Sequence, residues 1–249
     1  MKLTRISCGA SALLIALACL TASESALAVS IDVTHDTWVR EDNADSNRNG
    51  NDQMNARTDI DGDDNDVILL RFPTSALTAD ALTASLTLYW QRDDSGTGNS
   101  LSLWGLNESD PDETAWDETT VTYNNAPGLI PDGLDPTAES GMGHTDDDIR
   151  DLDTANLTLL VENQPYGPQV TNDPYTFSSM ALADFINADT NGEVSFLITR
   201  GELATSGNQA RFWPRESGPG AVLDVTQVPE PAAIVLMGLA CAGLALRRR

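Results

Sequence analysis

Ser85-Leu86-Thr87-Leu88-Tyr89-Trp90-Gln91 decides the fold. Leu86, Leu88 and Trp90 recur at every second position, the period at which side chains along a strand alternate between two faces. The spacing puts these three in a core and turns Thr87 and Tyr89 outward. Similar short runs of β-formers lie on both sides of it, at Asp36–Arg40, Val67–Phe72, Ser100–Leu106, Thr119–Tyr123, Tyr175–Ser178, Glu193–Thr199, Ala210–Trp213 and Ala221–Thr226. Clusters of Asp, Asn, Gly and Pro separate them. Many short strands punctuated by turn residues predict an all-β protein, a jelly-roll-like antiparallel β-sandwich. Val67–Leu70 is apolar on both faces, which predicts a central strand covered on both sides. One short helix is expected over Met180–Ala188, where Leu182, Phe185 and Ile186 share a face. The loops Asn43–Asp52, Thr58–Asp66 and Gly128–Pro174 are long and polar; Leu157–Val161 inside the last is a further strand candidate.

Two segments flank this region. Residues 1–28 begin with Lys2 and Arg5, continue through an apolar stretch over Cys8–Leu20, and end on Ala26-Leu27-Ala28. A basic start, an apolar run and a small-x-small site predict a signal-peptide helix, exported by the Sec machinery and cut by signal peptidase at Ala26 and Ala28, so that the mature chain starts at Val29. The rival is a lipoprotein acylated at Cys19, but Ala16-Leu17-Ala18-Cys19 lacks a leucine three residues before the cysteine.

At the other end stand Val228-Pro229-Glu230-Pro231, the uncharged run Ala232–Leu246 and Arg247-Arg248-Arg249. Pro229 and Pro231 stop any helix arriving from upstream. The 15-residue run, as a C-terminal hydrophobic helix, is about 22 Å long at 1.5 Å per residue, short of a hydrocarbon core of about 30 Å. Pro231 and the arginine stems bring it near a marginal span, with the arginines on the cytoplasmic side. The arrangement over residues 228–249 resembles the PEP-CTERM sorting signal of Gram-negative bacteria. The resemblance implies transient anchoring in the inner membrane, cutting near Pro-Glu-Pro by a membrane-embedded exosortase, and delivery to the envelope, cell surface or extracellular matrix. A plain anchor or a buried core helix are the alternatives.

All three cysteines (Cys8, Cys19 and Cys241) fall in the flanks, so residues 29–227 hold no disulfide and no cysteine-ligated metal. Between the flanks stand 36 acidic side chains and nine basic ones, all arginine, a net charge near −27. Such a surface repels nucleic acid and anionic lipid and attracts divalent cations. Solubility alone is the plainer reading of the same charge.

Five blocks carry a second resemblance: Asp36-Thr37-Trp38-Val39-Arg40, Leu69-Leu70-Arg71-Phe72, Leu82–Tyr89, Trp116-Asp117-Glu118-Thr119-Thr120-Val121-Thr122-Tyr123-Asn124-Asn125-Ala126-Pro127, and Arg211-Phe212-Trp213-Pro214-Arg215-Glu216-Ser217 followed by Leu223. Their succession over nearly all of residues 31–227 resembles the DNRLRE domain, similar to disaggregatase-related carbohydrate-binding modules. It implies a β-sandwich that binds polysaccharide without cleaving it. Two departures, the long acidic segment from Gly128 to Pro174 and the absence of lysine, leave the ligand type open between neutral and cation-bridged glycans.

Candidate sites follow from local chemistry. Asp59, Asp61, Asp63, Asp64 and Asp66 put five carboxylates in eight residues, which repel one another unless solvated or bridged by a hard cation, so Ca2+ is the candidate cofactor. It is not an EF-hand, because the twelfth position counted from Asp59 is Leu70; Asp45-Ser46-Asn47-Arg48-Asn49-Gly50 fails likewise at Ala56. Trp90 belongs to the core by alternation, and Trp116 and Trp213 read as structural. Trp104 stands out of phase with Leu101 and Leu103. Together with Tyr89 it is the candidate glycan platform, since exposed rings stack on the apolar faces of sugars; packing of Trp104 under the long acidic loop is the equal alternative. The rival enzymatic reading rests on Glu113, Asp117 and Glu118 as carboxylates flanking a glycosidic bond. His35 and His144 are too few and too isolated in sequence to suggest zinc. A purely structural, acidic matrix protein is the third reading.

Overall fold

Leu86, Leu88 and Trp90 are buried, and Thr87 and Tyr89 are half-exposed, as their spacing predicts. A computed structural model describes residues 26–57, 65–92, 99–130, 152–201 and 209–228. In chain order its elements are β1 (Leu27–Asp32), β2 (His35–Arg40), β3 (Met54–Ala56), β4 (Asp66–Pro73), β5 (Ala81–Tyr89), β6 (Asn99–Leu106), β7 (Leu157–Tyr166), β8 (Pro174–Ser178), the helix α1 (Met180–Ala188), β9 (Glu193–Arg200), β10 (Ala210–Phe212) and β11 (Val222–Gln227).

The strands form a four-stranded sheet in the order β1-β11-β5-β8, a five-stranded sheet in the order β2-β4-β9-β6-β7, and a short pair β10-β3. Every pairing is antiparallel. Leu86, Leu88, Phe177, Leu223 and Val225 of the first sheet meet Ile68, Leu70, Leu103, Phe196 and Ile198 of the second in one core. This is the sandwich the alternation predicts.

The five-stranded sheet is also covered on its other side. Val67, Leu69 and Leu197 face outward into a second core with Trp116, Val121, Tyr123 and Leu157. The segment after β6 supplies most of that cover. This is why Val67–Leu70 is apolar on both faces, and why truncating Leu69 to alanine should cost about as much as truncating Leu70, roughly 2–5 kcal/mol each.

Helix α1 starts where its cap is. Ser179 Oγ accepts the Leu182 amide at 3.0 Å and donates to the Leu160 carbonyl at 2.8 Å, joining the helix to β7. Leu182 and Ile186 are buried, and Phe185 packs beside them over Gly105, where a Cβ would fall 2.5 Å from the ring.

One expectation is corrected. Thr119–Tyr123 is not a strand. Asp117 Oδ1 accepts the Thr119 amide at 2.8 Å, the Asp117 carbonyl accepts the Val121 amide at 2.8 Å, and Thr122 and Asn125 form a capping box on a 3-10 turn over Tyr123–Asn125. Side-chain acceptors so close in sequence compete successfully with a sheet ladder. The strand candidate inside Gly128–Pro174 is borne out and is longer than expected, β7 running over Leu157–Tyr166. Two strands had no expectation at all: β1, which overlaps the cleavage motif, and β3, only three residues long. The two terminal helices lie outside the described residues; among the described residues no helix is long and apolar enough to cross a membrane.

Candidate functional site

Tyr89 ends β5 on the outward side of the four-stranded sheet. Beyond it the chain turns, and the Trp213 amide donates to the Tyr89 carbonyl at 3.0 Å. The turn that follows is tight. Gly218 lies against the Trp213 ring and Gly220 against Arg215, with room for a Cβ at neither (2.6 and 2.7 Å). Trp213 is half-buried and donates its indole N–H to Asn172 Oδ1 at 3.1 Å. The result is an open cleft of about 420 Å³ lined by Asp32, Val33, Tyr89, Arg215, Pro219 and Gly220.

Behind this cleft Arg215 is held by three carboxylates. Its Nη2 donates to Glu118 Oε1 at 2.5 Å and its Nε to Glu216 Oε1 at 2.6 Å, while Asp36 Oδ1 lies 3.5 Å from Nε. Its Nη1 donates to the Thr34 carbonyl. The backbone closes the knot: the Arg215 amide donates to Asp36 Oδ2 at 2.8 Å, and the Asp36 amide to Glu118 Oε2 at 3.1 Å. Asp36 is 1% exposed, and burial pushes its carboxyl up to about 7 against the downward pull of the Arg215 amide and guanidinium. One guanidinium therefore meets three carboxylates, and the cleft offers no surplus positive charge. Asp36, Glu118 and Glu216 bring oxygens within 4.8 Å of one another, the spacing of a hard-cation site. The guanidinium already occupies that place, so a metal ion would have to displace it.

The candidate site residues scatter. Tyr89 and Trp104 stand on different sheets and share no face. Trp104 is half-buried against the second core and donates its indole N–H to Thr199 Oγ1 at 3.1 Å. Trp90 lies in the core, stacked on Phe212 with centroids 4.2 Å apart, and Trp116 is buried with its indole N–H on Ser195 Oγ. Of the acidic run only Asp66 is described; it is fully buried at the start of β4, with Arg40 Nε 3.7 Å from Oδ1. Asp59, Asp61, Asp63 and Asp64 lie outside the described residues, as do His144 and all of Pro229–Arg249. Val228 closes the described chain, and Ala28 pairs with Thr226 in β1.

Asn47 spends its amide on the carbonyls of Glu118 and Val121, at 2.8 and 2.7 Å, and so braces the turn that carries Glu118. Glu113, Asp117 and Glu118 do three separate jobs. Glu113 is buried, which raises its carboxyl, and accepts from Asn191 Nδ2 at 2.8 Å. Asp117 caps a turn in solvent, where the Thr119 amide and hydroxyl lower its carboxyl. Glu118 holds Arg215. His35 packs edge-on against Trp116 with its ring bonded by Arg71; burial and that cation lower its pKa. The sequence reading missed Arg215 as a site residue. The one signal was its place in the same set of blocks as Asp36 and Glu118.

Residues 28–141 match carbohydrate-binding module family 96, and residues 227–249 match the PEP-CTERM protein-sorting motif. The first match takes in β1–β6 together with Trp116 and Glu118; the second begins on the last residue of β11. No curated protein matches the chain significantly. The sorting motif marks the protein for exosortase-dependent export toward the cell envelope or surface, and the module match associates the sandwich with carbohydrate binding.

Proposed function

We propose that the sandwich is a non-catalytic module that holds a neutral polysaccharide in the Tyr89 cleft, on a protein exported and sorted to the surface or matrix of a Gram-negative bacterium. The observation that carries this reading is the half-exposed Tyr89 ring beside an Arg215 already balanced by Asp36, Glu118 and Glu216. A ring offers a sugar dispersion and CH–π contact over its apolar face. The guanidinium N–H groups left over and Asp32 offer hydrogen bonds to hydroxyls. A uronic acid chain would bring negative charge to a cleft with no cation to spare, on a body of net charge near −27.

Titration of the purified protein with a panel of neutral and uronic polysaccharides tests this. Binding confined to neutral chains, weakened at least tenfold by Tyr89→Ala and unchanged by Trp104→Ala, is the expected result. Tight binding of uronic chains would overturn the ligand class. A folded protein that binds nothing would leave the acidic-coat reading, which the charge and the absence of lysine between the flanks favour. New reducing ends in any mixture would make it an enzyme instead.

A further inference from the structure

The register of the four-stranded sheet separates the chain ends from the cleft. Leu27 pairs with Gln227, and Gln227 with Ala81. At the other end Asp32 pairs with Val222, Val222 with Thr87, and Tyr89 lies two residues further on. From Ala81 to Tyr89 is eight steps along β5, about 26 Å at roughly 3.3 Å per residue. The N-terminal and C-terminal flanks thus leave from one end of the sandwich, and the cleft opens at the other.

Apolar side chains are exposed at the end with the chain termini, though not there alone: Val170, near the cleft end, and Leu159, on β7, are exposed as well. Leu82, Met180 and Val228 are 51%, 68% and 37% exposed, and Leu27 is 53% exposed. Leu82 follows Ala81; Met180 opens α1, the helix whose Asn187 accepts the Ala81 amide at this end. Val228 follows Gln227. No core residue explains this collar. Leu27 and Leu82 flank Gln227, where the tail departs toward its apolar run at Ala232. Only Val228–Pro231 intervene, a reach of at most about 14 Å, and the two prolines restrict it further. The sandwich as a whole, with a net charge near −27, is repelled by anionic headgroups within a Debye length of about 8 Å.

We infer that the end carrying Leu82, Met180 and Val228, with Leu27 before N-terminal processing, rests against the membrane that holds the tail, so that the Tyr89 cleft faces away from it. The inference rests on the sorting reading for the tail and on the cleft as the binding site. An anchored molecule then presents its cleft to polymer outside while it waits for the exosortase, and binding does not require prior release. The short tether that leaves at Val228, with Leu82 beside it, fixes which end is down.

The test uses the full chain with Cys8, Cys19 and Cys241 changed to serine, inserted into phosphatidylethanolamine–phosphatidylglycerol vesicles whose headgroups carry a nitroxide. A fluorophore is placed at Thr83→Cys, in the collar end, or at Ser217→Cys, beside the cleft; both positions are exposed. The expected result is several-fold stronger quenching at the Thr83 position than at Ser217. Adding Leu82→Glu and Met180→Glu should lower the Thr83 quenching while the protein still floats with the vesicles. Equal quenching at both positions, stronger quenching at Ser217, or failure to float with vesicles overturns the inference. Glycan titration of the vesicle-bound and detergent-held chain is read separately. Loss of binding in both fails the cleft reading alone, and loss only on vesicles fails the orientation.

Discussion

Replacing Asp36 by asparagine should make stability nearly independent of a titration that the native protein undergoes near neutral pH. The carboxyl is buried, and its pKa lies at about 7 where the unfolded chain has 3.8; burial is the main cause, Glu216 and Glu118 add to it, and Arg215 opposes it. Between those values the folded protein holds a proton that the unfolded chain has lost. The stability this contributes is complete below about 3.8 and is lost as pH rises through about 7. Integrated from pH 5 to pH 8, the loss is about 2–3 kcal/mol, a ceiling because Arg215 grips the ionised form. The asparagine keeps an acceptor for the Arg215 amide and has no proton to lose. Urea unfolding followed by tryptophan fluorescence at pH 5, 6, 7 and 8, in native protein and Asp36→Asn, isolates the effect. Neighbouring groups such as His35 titrate in both and cancel in the difference. The native protein should fall relative to the variant as pH rises. A difference that is flat across the range, or that grows in favour of the native protein, would show that Arg215 keeps Asp36 ionised and would refute the reasoning from burial.

Two further outcomes are expected. Asn47→Ala removes both donors that hold the Glu118 and Val121 carbonyls and should cost about 1–3 kcal/mol, read as a lower urea midpoint at unchanged slope. If the acidic run Asp59–Asp66 binds calcium, saturating Ca2+ should raise the melting temperature of the EDTA-treated protein, by the equivalent of about 2.7 kcal/mol at a hundred times Kd; an unchanged melting temperature removes calcium as the candidate cofactor.

What was legible in the sequence was whatever a local period encodes. Leu86, Leu88 and Trp90 gave their own faces, Val67–Leu70 gave a doubly covered strand, and the spacing of Leu182 and Ile186 gave α1. The turn at Thr119–Tyr123 was misread because its β-branched residues mimic a strand, while the hydrogen bonds that decide it come from Asp117 and Asn125. Trp104 stayed open between an exposed platform and packing under the acidic loop. Being out of phase with Leu101 and Leu103 means exposure only if one face of the sheet is wet. Here the second core covers that face, and β6 shifts its register against β7 between Leu101 and Trp104. The cleft was half-legible. Tyr89 follows from alternation, but its partner Arg215 meets Asp36 across 179 residues and Glu118 across 97. No spacing rule reaches that far. The blocks were informative because their chemistry is joint: Glu118 divides its two oxygens between the Asp36 amide and Arg215, and Arg215 returns its own amide to Asp36. Each of the three side chains needs the other two, because a buried carboxylate or a lone partner left behind is costly. Asp36, Glu118 and Arg215 therefore read as one structural unit spread over three distant blocks. Any glycan specificity at the cleft has to be built on the charge balance that this unit leaves at its surface.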